Sequence, residues 1–171
     1  MILGNRGADM PDTAFPSGVA GPSDTGGPIG RWCFARRFPA GDRETRRVLA
    51  DLIDGLGQAG VGEDDRSNAE LILAEVLNNI AEHAYADGVG PVELRVEVRR
   101  SGLACQIADR GQPMPASDAP DPDLPLIAPP DHLPEGGFGW HIIRCLTSDL
   151  RYARDRGWNR LTMHMPWSGY D

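Results

Sequence analysis

The sequence predicts an α+β domain: a mostly antiparallel sheet with its helices gathered on one face, a two-layer α/β sandwich. Three observations predict it. Two stretches of helical periodicity, one over about 42–56 and one reaching residue 85, follow each other with no strand between them. The strands come as hairpins, with Val92, Leu94, Val96 and Val98 alternating with Glu93, Arg95, Glu97 and Arg99 before a turn at Ser101-Gly102. One further helix and a second hairpin complete the chain. Strands and helices do not alternate regularly, so a doubly wound parallel sheet is excluded.

Residues 1–30 carry seven glycines, four prolines and only scattered apolar side chains, too few to offset the entropy of ordering them. A flexible tail is expected there, with the folded domain over 31–171. Trp32 to Phe38 reads as a first strand that ends at Pro39. In the first helix Val48, Leu49, Leu52, Ile53 and Leu56 share a face, and Gly55, Gly57, Gly60 and Gly62 are expected to break it. The second helix is expected to start near Asp65 to Ser67, either of which can cap it. Its Leu73, Val76, Leu77, Ile80 and Ala84 form an apolar stripe. Leu103, Cys105 and Ile107 alternate in the strand returning from Gly102, which ends at Asp109.

Between residues 112 and 135 stand eight prolines, a density that neither a helix nor an inner strand tolerates. A long insert of this kind in a compact domain is usually functional or disordered, and a lid or partner-binding loop over about 112–136 is expected. Phe138 to Leu146 reads as the last helix. Residues 151–154 then pair with 158–165 across Asp155-Arg156-Gly157.

Composition bounds the function. With 171 residues and 40% hydrophobic, the chain suits one domain with a real core. No apolar run approaches the ~20 residues of a membrane span, and no basic-then-apolar leader opens the sequence. Cys33, Cys105 and Cys145 are widely spaced in apolar contexts and read as buried free thiols. An intracellular, cytoplasmic location is expected. The net charge of −8 disfavours nucleic acid, whose phosphates it would repel.

Candidate chemistry is concentrated in three local patterns. Glu75, Asn79 and His83 sit four apart and stack along one helix face. A carboxylate, an amide and an imidazole in line can serve a proton, a metal ion and a phosphate. Asp109-Arg110-Gly111 ends a strand where the backbone can turn sharply. Gly136-Gly137-Phe138-Gly139 leads directly into a helix, whose N-terminal N–H groups favour an anion. Each pattern alone is weak: a lone Asp-x-Gly is usually a turn. All three in this order, with an insert between the second and third, is much more specific.

In these motifs the chain resembles the gyrase/Hsp90/histidine-kinase/MutL ATPase superfamily with its Bergerat nucleotide-binding fold. Within it the chain looks most like the small anti-sigma-factor serine kinases of the RsbW and SpoIIAB type. Residues 75–85 look like that family's N box, and Gly136 to Arg144 with 149–152 and 159–162 look like its C-terminal third. The resemblance implies ATP and Mg²⁺ as ligands, with Asn79 coordinating the metal and Glu75 taking the proton of an attacking serine. It also implies that Asp109 accepts from the adenine amino group with Thr162 in support, and that Gly111 passes close to the base. Gly137, Phe138 and Gly139 would frame the phosphates. For His83, a phosphate-proximal role and a plain structural hydrogen bond stand level.

The partners implied are a STAS-domain anti-anti-sigma protein, which would be phosphorylated, and a sigma factor or other target, which would be sequestered. A homodimer through the first strand is also implied. The sequence departs from the family pattern in one important respect: from Gln112 to Gly139 there is no Lys or Arg. That departure keeps a second function open, a nucleotide-binding or nucleotide-free regulator that switches partners without catalysis. Trp140 and His141 also stand where smaller aliphatic or aromatic residues are usual, and both are expected to narrow the phosphate site.

Overall fold

The computed structural model describes residues 32–114 and 138–169. The tail over 1–30, most of the Pro-rich insert, Gly136 and Gly137 lie outside these described residues. The chain runs β1 (Cys33–Pro39), α1 (Asp42–Gln58), α2 (Glu63–Asn79), a π-helical turn (Ile80–Ala84), β2 (Pro91–Arg99), β3 (Gly102–Asp109), α3 (Phe138–Leu146), β4 (Ser148–Asp155) and β5 (Trp158–Pro166). The five strands form one sheet in the order β1-β2-β3-β5-β4, and every neighbouring pair is antiparallel. This is the α+β architecture that the hairpin pattern predicts.

Period-2 alternation fixes which side of the sheet carries the helices. Val92, Leu94 and Val96 of β2 and Leu103, Cys105 and Ile107 of β3 point inward, as do Leu161, Met163 and Met165 of β5. They meet Leu49, Leu52 and Leu56 of α1, Ile72, Leu73, Val76 and Leu77 of α2, and Ile143 of α3. Leu52, Leu56, Ile72 and Leu73 retain 0% exposure, and burying each such side chain contributes about 1.5–3 kcal/mol. The opposite sheet face holds Glu93, Arg95, Glu97 and Arg99, where Glu97 pairs with both Arg95 and Arg99.

Local expectations need three corrections. The first helix does not break at Gly55 or Gly57 but runs through both to Gln58. Gly55 is a packing position, since a Cβ there would stand 2.8 Å from the Trp32 indole. The second helix starts at Glu63, behind Gly62, with no side-chain cap. Glu63, Asp64 and Asp65 occupy its first turn, where negative charge meets the positive end of the helix dipole. Of the three free thiols only Cys105 is buried; Cys33 and Cys145 are exposed. The first lies on the outer side of an edge strand, and the second sits one helical turn from the exposed His141, 3.6 Å from its Nε2.

Candidate functional site

The end of α2, the end of β3 and the starts of α3 and β5 border one open cleft of about 200 Å³. Asn79, His83, Asp109, Trp140, Tyr152 and Asn159 are among its lining residues, over an apolar floor of Val76, Ile80, Ile107 and Leu161. Polar groups converging above an apolar floor are the usual character of a small-molecule site.

Three elements set the shape of the deep end. Asn79 ends the α-helical part of α2, and the chain widens into the π turn, closed by Tyr85 N–H on the Ile80 carbonyl at 3.1 Å. Such turns often occur at functional positions. The widened turn presents the Ala84 carbonyl to the chain leaving β3, where Gln112 N–H donates to it at 2.8 Å. Gly111 passes so close to Ala84 that any Cβ would overlap its carbonyl. The Tyr85 hydroxyl donates to the Pro91 carbonyl at 2.8 Å and accepts from Arg110 N–H at 2.8 Å. These contacts tie the α2 terminus to the Asp109-Gly111 corner.

Asp109 is 5% exposed. Its Oδ1 accepts from Gly111 N–H at 2.8 Å and from Asn159 Nδ2 at 2.8 Å. Among the described residues its Oδ2 receives no donor. Burial pushes the Asp109 carboxyl above the ordinary carboxylate range, and the Asn159 and Gly111 hydrogen bonds and the Arg154 charge pull it partly back. A buried carboxylate with one oxygen free suits a ligand that carries an N–H donor.

At the other end, α3 lies against α2 through Gly139. A Cβ on Gly139 would stand 2.5 Å from Oε2 of Glu75 and 3.9 Å from Nδ2 of Asn79. Glu75 and Asn79 are half-buried, whereas His83 is exposed on the cleft wall. The Asn79 Nδ2 is buried with no hydrogen-bond partner among the described residues. A half-turn of that amide puts an oxygen acceptor in the same place. The residues therefore fit an oxygen-seeking cation such as Mg²⁺, which binds through few protein ligands and keeps several waters. Arg144 forms no ion pair among the described residues, and its Nε is buried without a partner there.

The structure brings Asn79, His83 and Asp109 around one cleft, sets Gly111 against Ala84 of its wall, and sets Gly139 against Glu75 beside Asn79. Gly137 and the Phe138 side chain lie outside the described residues. Thr162 is a correction. It pairs with Gln106 on the sheet face away from the helices, while Asp109 pairs with Asn159 on the helix side. The support expected from Thr162 is given by Asn159, three residues earlier. Tyr152 lines the cleft from β4, Arg154 of the same strand bonds Asn159, and Tyr85 ties the π turn to the Asp109-Gly111 corner; of the three, Arg154 carries no sequence signal of its own. Trp140 does line the cleft.

A family model for the histidine kinase-like ATPase domain matches residues 38–165. The chain belongs to that family. The match spans every described strand and helix except residues 33–37 of β1 and the last residue of β5. Similar curated proteins carry the name serine-protein kinase RsbW. The one from Bacillus mycoides (strain KBAB4) is 29% identical over 123 residues, covering 71% of this chain and 77% of the relative. Those from Bacillus cereus (strain AH187) and Bacillus anthracis are 28% identical with the same coverage.

Proposed function

We propose that this chain is an ATP-dependent protein-serine kinase and switch protein. It phosphorylates a STAS-type anti-anti-sigma antagonist and sequesters a sigma factor or another regulatory target in the cytoplasm. The single observation that carries this reading is the seam at Gly139, where Glu75 stands with Asn79, whose Nδ2 has no partner among the described residues, beside the cleft that holds Asp109. A binding module without catalysis has no need of a carboxylate at that position. The relatives named as serine-protein kinases support the same reading.

The chemistry follows from the placement. Asp109 Oδ2 accepts from the exocyclic amine of the base and anchors one end of the nucleotide. The first turn of α3, open at Gly139, directs backbone N–H groups toward the phosphates. Asn79 would hold Mg²⁺, which when bound supplies charge neutralisation to the phosphates. Glu75 accepts the proton from the partner's serine hydroxyl as its oxygen attacks the terminal phosphorus and ADP departs. A positioned base of this kind contributes about 10²- to 10⁴-fold. The edge strand β1, which pairs only with β2 among the described strands, offers the surface for a homodimer.

The test combines the protein, Mg-ATP and the small STAS-domain protein encoded nearest to it, with phosphoserine read by mass spectrometry. Wild type is expected to phosphorylate its partner. Glu75→Ala is expected to bind ATP yet transfer nothing. Phosphotransfer by Glu75→Ala near the wild-type rate would remove Glu75 from the role of base. A second reading is favoured by the absence of Lys and Arg from Gln112 to Gly139: a nucleotide-binding regulator without catalysis. Nucleotide-dependent complex formation with no phosphoserine is its signature.

A further inference from the structure

The nucleotide reading leaves open what selects the base, and the inference drawn here rests on that reading. Asn159 is 4% exposed, and both ends of its amide are occupied. Its Nδ2 faces three acceptors: Asp109 Oδ1 at 2.8 Å, the Gln112 carbonyl at 2.9 Å and the Gly111 carbonyl at 3.4 Å. Its Oδ1 faces two donors, the Tyr152 hydroxyl at 2.8 Å and Nη1 of Arg154. We propose that Tyr152 and Arg154 lock the Asn159 amide in this one orientation, so that Asp109 is held as an obligate acceptor and the cleft selects a base with an exocyclic amine over one with a carbonyl.

An asparagine amide can turn by half a revolution and exchange its oxygen and nitrogen, so its neighbours decide which end points where. Here the donors are directional. The Tyr152 hydroxyl accepts from Met114 N–H at 3.0 Å, which leaves its single proton for Asn159. Arg154 has only donors to offer, and Nη1 also reaches the Gly111 carbonyl at 3.1 Å. A turned amide would set its oxygen against the Asp109 carboxylate and two carbonyls, and its N–H groups against two donors. With the lock in place, Asp109 Oδ1 is saturated by Gly111 N–H and Asn159 Nδ2. Both donors favour the ionised carboxylate, whose free Oδ2 has no proton to give and accepts. An amine on the base satisfies it. A carbonyl at the same place sets acceptor against acceptor and leaves both buried and unpaired.

The experiment measures dissociation constants of Mg-ATP and Mg-GTP by calorimetry for wild type, Tyr152→Phe, Arg154→Leu, the double variant and Arg154→Lys. The ratio of the two constants cancels any packing loss that both nucleotides feel. Wild type is expected to prefer ATP by about 100-fold or more, since sites built to pair a ligand N–H reject the analogue lacking it strongly. The double variant is expected to lose about tenfold or more of that preference, as one charged and one neutral hydrogen bond are removed. Arg154→Lys, which keeps a donor, is expected to retain it. If the double variant does not fold, the single variants carry the test, each with a loss of about threefold or more. An unchanged ratio in the variants, or a wild type that binds ATP and GTP alike, overturns the lock while leaving nucleotide binding in place. A wild type that binds neither nucleotide overturns the nucleotide reading and the lock with it.

Discussion

Gly139 and Glu75 are packed so closely that a single added carbon on the glycine would stand 2.5 Å from the carboxylate oxygen. The contact joins the first turn of α3 to the last turns of α2, and it brings the Glu75 oxygen beside Asn79.

Gly139→Ala should therefore damage phosphotransfer far more than folding. The carboxylate must swing away or α3 must shift, and a displacement of about 1 Å in a reacting group can cost on the order of 10²-fold in rate. Glu75 is long and flexible enough to yield, so the melting temperature should stay within a few degrees of wild type. Single-turnover phosphorylation alongside a thermal melt checks both halves. A wild-type rate in the variant would mean that Glu75 tolerates displacement and is no proton acceptor.

Asp109→Asn should separate binding from stability. An Asn oxygen can still accept from Gly111 and Asn159, but its other end becomes a donor and no longer accepts from an amine. Nucleotide affinity should fall by the worth of a hydrogen bond to a charged group, about 1.5–3 kcal/mol. The pH dependence has a definite sign. The Asp109 carboxyl is raised by burial, so the folded state holds its proton more tightly than the unfolded state. Its contribution to stability is present below the unfolded carboxylate range and is lost as pH rises through the higher folded value. The stability of Asp109→Asn relative to wild type should therefore increase as pH rises through that window. Urea titrations across the acidic range test this, and a difference that does not vary with pH would contradict it.

Tyr85→Phe should cost about 1–3 kcal/mol, because it leaves the Pro91 carbonyl and the Arg110 N–H without the hydroxyl they share. Chemical denaturation measures the loss. The Asp109-Gly111 corner should loosen too, visible as faster amide exchange at Gly111 and Gln112. Unchanged stability and exchange would show that water replaces the hydroxyl at no cost.

The cysteines should separate into two classes. Cys105 is 1% exposed, and burial pushes its thiol up to about 12. Cys33 and Cys145 are exposed. A thiol reagent at neutral pH should modify Cys33 and Cys145 in the native protein and reach Cys105 only after unfolding, since the thiolate is the reacting form. Peptide mapping of a timed reaction gives the order. Early labelling of Cys105 would mean that the sheet opens readily at β3.

Much of this protein follows from its sequence. Alternation in 92–98 and 103–107 sets the central hairpin, and periodicity sets α1 and α2, because inward and outward positions repeat with the geometry of each element. Glu75 and Asn79 share a helix face for the same reason, and Gly139 marks where α3 closes on them. The family resemblance leads to the wrong residue at β5. Asn159 and Thr162 lie on one short strand, three positions apart and on opposite faces, and only the register between β3 and β5 decides which of them meets Asp109. That register is a long-range pairing with no local code. The widened turn at Ile80–Ala84, the Asn159 amide held between Tyr152 and Arg154, and the exposure of Cys33 and Cys145 depend in the same way on packing between distant segments. Local chemistry determined which elements form and which side chains they offer; tertiary packing decided which of those side chains share a cleft.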